Sequence, residues 1–544
     1  MTIMYDASAD GTTVFLGGTV WLGPNETTTA VAVTNGTIVA LGDDAEALQT
    51  SADATVDLAG RFLMPAFSDG HCHPIFAGLE HQGPAISGLR SIDEIVERVR
   101  EYAQVHPELE WIRGGSYDPT LAPDGNFDAA WLDAAVTDRP VVLRASDYHT
   151  LWCNSEALRR AHVTAETPEP RLGRIERRAD GSPLGTLREW DACDLLLDAA
   201  PVADPEALVA AVVKAGEIAN TNGITWMQDA WVEVDGHHPF VTALERGLLS
   251  VRTNLALRAD PRTWRENSAD FVRMRDEVNA LGQDDMLSAK TIKFFVDGVI
   301  ESATAEVIEP YVGTHNHGMP NWSREELIDA VTHFDALGFQ IHLHAIGDRA
   351  NRHALDAVEH AIATNPVWDR RSTITHVQLV HPDDLARFSK LGIVANFQAH
   401  WAQEDPLMTE LTAPKLGPER TAMQYPIGSL LRDGTALSYG SDWPVSPNNF
   451  VETALVAVTR QTKDGLPAEG WVPSQRIELQ ESLDIATRGT AFQAFNEHFR
   501  GTIAVGMAAD LVVLDTDLMA VTPHEARQAK PAATYLAGKR VFSA

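Results

Sequence analysis

Eight strand-like runs, alternating with amphipathic helical stretches, restrict this chain more than any other feature, because most of them end in a residue able to bind a metal. In order they are Leu63–Asp69, Gly223–Asp229, Val251–Leu257, Thr291–Val296, Phe339–His344, Thr373–Gln378, Ile393–Gln398 and Ala436–Asp442. Apolar strands alternating with helices are the mark of βα units and a parallel sheet. A count that closes at eight predicts a (β/α)₈ TIM barrel. In such a barrel the strand C-termini converge on one face, so residues far apart in sequence meet there.

The ends carry His71 and His73 in Asp69-Gly-His-Cys-His-Pro74, Lys293 in Ile292-Lys-Phe-Phe-Val-Asp297, and His344 in His342-Leu-His-Ala-Ile-Gly-Asp348. His376 follows in Ile374-Thr-His-Val-Gln378, and Asp442 in Gly440-Ser-Asp-Trp-Pro444. His71 and His73, two residues apart on an extended segment, face the same way. Imidazole and carboxylate donors suit zinc, with manganese or iron as alternatives. A lone His-x-His also reads as a satisfied polar rim; the ordered set favours a metal centre. Cys72, between two ligands, is expected to face away from them.

Lys293 admits two readings. Burial disfavours its ammonium form, so it either pairs with Asp297 or Asp442, or reacts as a neutral amine with carbon dioxide to form a carbamate. In the second case two ions share the carbamate, one with His71, His73 and Asp442, the other with His344 and His376.

The two ends of the chain read differently. Residues 1–63 and 501–544 are short strands between Gly, Asn and Asp turns. Neither has enough apolar surface to fold alone, so together they predict one small composite β-sandwich. Residues 64–84 carry barrel strand one and 206–500 the rest of the barrel. Residues 85–205 form an insertion too long for a structureless loop. Leaving the C-terminal face of the barrel, it is placed to roof the mouth.

The 544 residues carry 43 Lys+Arg against 76 Asp+Glu, a formal net charge of −33. That balance excludes nucleic acid and anionic membrane as partners, since both are polyanions. Three scattered cysteines build no disulfide framework. Met1–Asp10 has no basic segment leading into an apolar one, and no run reaches a membrane-spanning length. The expectation is a cytoplasmic protein acting on a small molecule.

With these motifs on the page, the chain resembles the amidohydrolase superfamily, in particular its YtcJ-like branch, which includes N-substituted formamide deformylase. Beside the strand-end motifs, the branch pattern His-x-x-x-x-Asn-x-x-Ala-Leu stands at His149, Asn154, Ala157 and Leu158. The resemblance covers essentially the whole chain. It implies two zinc ions per chain, a carboxylated Lys293, His344 as the fifth-strand ligand and a homo-oligomer. His342, two residues before His344, departs from the pattern; it reads as orienting a ligand or water, and which of the two histidines coordinates stays open.

The chemistry implied is hydrolysis of a C–N bond in a small uncharged amide with an aromatic or bulky substituent, such as an N-substituted formamide. Water is activated by metal, and Asp442 shuttles the proton as general base and acid. A deaminase or cyclic-amide hydrolase on the same metals is the alternative, and a non-catalytic relative a third reading. For the substrate pocket the candidates are His149 and Trp152 in the roof, Asp297 after strand four, His400 and Trp401 after strand seven, and Trp443. Asp297 reads equally as a cap of the following turn, and Glu189 as a solvated charge.

Overall fold

The structure, a computed structural model, describes residues 11–544; the reading of Met1–Asp10 as leaderless lies outside them. Eight parallel strands form the predicted barrel: β1 (Phe67–Cys72), β2 (Ile224–Val232), β3 (Arg252–Arg258), β4 (Leu287–Phe295), β5 (Gln340–Ala345), β6 (Thr373–His376), β7 (Val394–Phe397) and β8 (Ala436–Tyr439). Each pairs with the next in sequence. The seam between β8 and β1 is closed just beyond the ladder. Asp442 N donates to His71 O and His73 N to Trp443 O, both at 2.7 Å. Gly440 permits this approach, since a Cβ there would lie 2.6 Å from the Cβ of His71.

Strand one begins later than expected. Phe62–Pro65 pairs antiparallel with Leu511–Leu514 in the terminal sheet, and only Phe67–Cys72 belongs to the barrel. Pro65 has no N–H to carry a ladder onward, and Ala66 N donates instead to Asp510 O at 2.9 Å. The division drawn at 63/64 therefore falls within a strand, and the chain changes sheets at Ala66.

The outer helices follow from apolar stripes between caps. Pro205–Thr221 starts with Asp204 accepting from Glu206 N and Ala207 N, and it buries Val209, Val212, Ala215 and Ala219. That spacing keeps one face of the helix against the barrel.

The chain ends meet as predicted, eight strands from residues 12–65 and 511–543 joining in one hydrogen-bonded sheet. Alternate residues of Thr12–Gly23 enter different cores, Phe15 with Val31 and Val33, Val14 with Ala30 and Ala32. The sheet curls over on itself: the Phe15 and Tyr535 rings meet at 5.0 Å, although their strands stand three places apart.

The insertion contains five strands, of which the sequence reading recognised one (near Val141–Ala145). They are Ile112–Tyr117, Val141–Ala145, Thr150–Cys153, Arg174–Arg177 and Pro183–Arg188. Two apolar clusters of its own hold it together. Among the described residues, no helix is long and apolar enough to cross a membrane.

Candidate metal centre and substrate cavity

At the C-terminal end of β1, the alternation of the strand turns His71 and His73 inward. Cys72 faces the apolar layer as predicted, its Sγ 3.5 Å from Gln228 O. The Nε2 atoms of His71 and His73 converge on Asp442 Oδ1, at 3.2 and 2.9 Å. All three residues are buried. Asp69 fixes the approach from behind, accepting from Ser441 N at 2.9 Å and His71 N at 3.3 Å. Burial pushes its carboxyl up to about 7 against those hydrogen bonds.

Lys293 lies on β4 and is fully buried, and its Nζ has no hydrogen-bond partner. Neither Asp297 nor Asp442 forms the ion pair that the simpler reading required. Desolvation brings the amine down to about 7, only partly offset by Asp442, so neutral amine is well populated at neutral pH.

The two β5 histidines differ in what each ring touches. His342 Nε2 lies 2.8 Å from His71 Nδ1, and His342 Nδ1 lies 2.8 Å from Gln228 Nε2. His342 stands behind His71 and orients it. His344 is at the mouth, its ring 4.5 Å from that of His376, with Nε2 3.2 Å from Gly298 O. That contact leaves Nδ1 of His344 to coordinate. His376 Nδ1 is held at 2.7 Å by Gln398 Oε1, which leaves its Nε2. Partners of this kind set which nitrogen faces a metal.

His71, His342, His344 and His376 are all held well below the ordinary imidazole range, chiefly by desolvation and further by neighbouring Lys293 or histidines. Neutral imidazole is the form that binds metal. An orphaned buried amine, a converging carboxylate and the imidazoles of His71, His344 and His376, each with one nitrogen held by a partner, fit a divalent-metal centre. Backbone strain accompanies the site: His376, Val377 and Asp442 sit at φ +75°, +47° and +58°, conformations that cost about 1–3 kcal/mol each and persist where the surroundings impose them.

Beside the centre opens a cavity of about 710 Å³, with His149, His344, His376, Trp401 and Asp442 in its wall. Trp401 stacks on His376 with centroids 5.4 Å apart and planes within 6°. His149 descends from the insertion, its ring 5.6 Å from that of His344. Both are where the sequence placed them. Val299, Ile346, Leu407 and Met408 supply apolar wall, and no Lys or Arg contributes to it.

Four expected pocket residues lie elsewhere. Trp152 is buried within the insertion, donating Nε1–H to Asp128 O and packing on Tyr117 and Phe127; on its strand it faces that core. Asp297 spends its carboxylate on the backbone N–H groups of Glu306, Ile346 and Gly347 and sits 3.4 Å from His344 Nε2. It thus braces a ligand rather than meeting substrate. Burial raises it to about 7. His400 turns out of the cavity from the single 3₁₀ turn after β7, toward the side of Lys463 and Arg527, and burial lowers it to about 4. Trp443 follows Asp442 yet lines a different cleft, beside Glu80 and Ser116.

Glu189 is the reverse case. The sequence favoured a solvated charge, but it is 2% exposed, with Oε2 2.8 Å from His149 Nδ1. Its φ of +60° turns the chain into the helix Trp190–Leu197. Burial opposes the charged pair, but the mutual attraction prevails, holding Glu189 low and His149 high. Gln398, which the sequence offered with His400 as a substrate contact, holds His376 instead. Gln228 and Trp231 were missed; Trp231 closes the mouth against Trp190 and Phe295, both at 4.8 Å.

A family described as "Amidohydrolase family" matches residues 54–542. Protein LONG AFTER FAR-RED 3 of Arabidopsis thaliana is 30% identical, covering 94% of this chain and 88% of that protein. Putative amidohydrolase YtcJ of Bacillus subtilis is 26% identical over 90% of each. N-substituted formamide deformylase of Arthrobacter pascens is 27% identical over 94% of this chain and 95% of its own. In fold, an uncharacterized metal-dependent hydrolase from Pyrococcus horikoshii superposes with a TM-score of 0.74 at 22% identity, over 94% of this chain and 99% of that one.

Proposed function

The chain belongs to the amidohydrolase family, in its YtcJ-like branch, and on that footing we propose that it hydrolyses the C–N bond of a small uncharged amide, with N-substituted formamides the first class to test. One observation carries the substrate reading: the mouth cavity is apolar along much of its wall, through Val299, Ile346, Leu407 and Met408, and neither Lys nor Arg lines it. With no guanidinium or ammonium to clamp a carboxylate or phosphate, the wall suits a neutral amide whose aromatic or bulky group packs on Trp401, Leu407 and Met408. The name of the Arthrobacter pascens relative, 27% identical, agrees with this choice.

His71, His73 and Asp442 would hold one ion, and His344 and His376 a second, with a carbamate on Lys293 shared between them. Zinc suits these donors first, with manganese or iron as alternatives. When bound, such ions polarise a carbonyl and bring the pKa of water from 15.7 to about 7.

The chain's own residues supply the rest. Asp442 Oδ1 lies at the convergence of the two imidazoles, so its carboxylate accepts the proton of the attacking water and returns it to the departing nitrogen. An amine leaves as readily as it is protonated, so this return matters as much as the removal. His149, its imidazolium form favoured by the Glu189 carboxylate and its ring facing the same cavity, would donate its remaining N–H to the carbonyl oxygen as negative charge grows there. Trp401 and the aliphatic wall exclude water from the substituent.

The test is a panel of N-alkyl and N-benzyl formamides, the matching acetamides and esters, and amino-heterocycles. Amine and formate are expected from the formamides, with turnover lost on chelation and restored by zinc and bicarbonate. Ammonia from amino-heterocycles alone would replace this reading with deamination.

A further inference from the structure

Beyond the end of β2 the chain turns through Asp235-Gly236-His237-His238 into the helix His238–Glu245. Ligand atoms of Asp235, His237 and His238 lie within 4.8 Å of one another, and none of the three residues lines the cavity at the barrel mouth. His237 is 1% exposed although both sequence neighbours in the cluster are exposed. Its Nε2 is fixed 2.8 Å from Glu277 Oε2, on the neighbouring helix Trp264–Asn279. Its Nδ1 is buried and has no hydrogen-bond partner.

A carboxylate gripping one imidazole nitrogen while the other stays unspent is how proteins orient a histidine toward a metal. Without such a use, the buried Nδ1 forfeits a hydrogen bond at a cost to stability. The loop's charge also suits a cation. Arg273 is the one guanidinium bridging Asp235, Asp270 and Glu277, so carboxylates outnumber it three to one. Arg273 engages Asp235 through Oδ1, which leaves Oδ2. Burial, the largest influence on His237, also keeps its ring in the neutral, ligating form. Asp235 and His238 border a flank cavity, which gives an ion a way in.

We propose that Asp235, His237 and His238 form an additional divalent-metal site of the zinc or nickel type, outside the catalytic centre, clamping the loop after β2 onto the helix Trp264–Asn279. Two imidazoles and one carboxylate are donors of borderline softness, which favours zinc or nickel over magnesium or calcium.

The experiment uses the intact holoprotein. Wild type, His238→Ala and Asp235→Asn are each dialysed to equilibrium with zinc, washed, and compared by elemental analysis and thermal melting. Wild type should retain about one more zinc per chain than either variant, its three protein ligands leaving the fourth position to water. Added zinc should raise the melting temperature of wild type and leave both variants unmoved. His238 is exposed, so its truncation leaves the fold intact, and circular dichroism checks that it has. Equal zinc content and equal melting responses in all three proteins would overturn the proposal. Because the readout is metal content and melting, the result stands whether or not amide hydrolysis is found.

Discussion

The two halves of the barrel interior are both polar, and they handle that polarity in opposite ways. Below the mouth a network centred on Gln493 satisfies its own polar side chains. Gln493 accepts from Asn396 and Ser438 at 3.1 and 2.6 Å and donates to Gly70 O at 2.8 Å. Its own carbonyl accepts from Gln340, whose Oε1 accepts from Thr291, which in turn accepts from Asn254. At the mouth, Lys293 Nζ and His73 Nδ1 are buried with no hydrogen-bond partner, and three residues hold left-handed conformations. Folding alone rewards the first arrangement and penalises the second. The difference locates the chemistry: unspent donors and strain collect where something else is to be bound.

The two halves are also joined. Asn254 donates to Gln228, which meets His342 and through it His71, while Asn396 accepts from Gln398, which meets His376. Hydrogen bonds thus run from the network below to the rings above, whose orientations are held directly by His342, Gln228 and Gln398.

Substitutions on either side separate the two roles. The largest effect is expected from Asp442→Asn, which should lower kcat by roughly 10²–10⁴-fold, the usual worth of a general base, with circular dichroism unchanged; comparable turnover would remove Asp442 from the proton path. Next, Gln493→Leu should destabilise by about 1–3 kcal/mol for each partner left unpaired, seen as an earlier denaturant midpoint, while kcat per folded molecule stays near wild type. A large loss of kcat with the midpoint unmoved would mean that the lower network is not merely structural. Gln398→Leu frees His376 and should weaken metal retention by about 10–100-fold, measured by chelator competition. Smallest is Lys293→Met in metal-free protein. Because the amine forms no hydrogen bond and meets only the Phe295 ring at 4.6 Å, stability should be unchanged or slightly raised, although metal binding is lost. A marked drop in melting temperature would show a structural partner for Lys293.

Much of this was legible in the sequence because strands impose a period of two and barrels gather strand ends. His71, His73, His344, His376 and Asp442 needed only those rules to be placed, and eight of eight barrel strands fall within a few residues of their expected positions. The insertion was less readable. Whether Trp152 faces the mouth or its own core depends on how a second sheet seats over the barrel, and alternation along four residues gives either answer. Glu189 was missed because its direction depends on a left-handed turn at a non-glycine residue, which local propensity argues against. Gln228 carries no local signal at all; its meaning appears only when His342 from another strand lies across from it.

The most direct test of the central claim is anomalous diffraction at the zinc edge from crystals grown with zinc and bicarbonate. Two peaks are predicted at the barrel mouth, one among His71, His73 and Asp442 and one between His344 and His376, with carbamate density on Lys293 reaching both. A mouth without anomalous signal, with Lys293 an unmodified amine, would contradict the account.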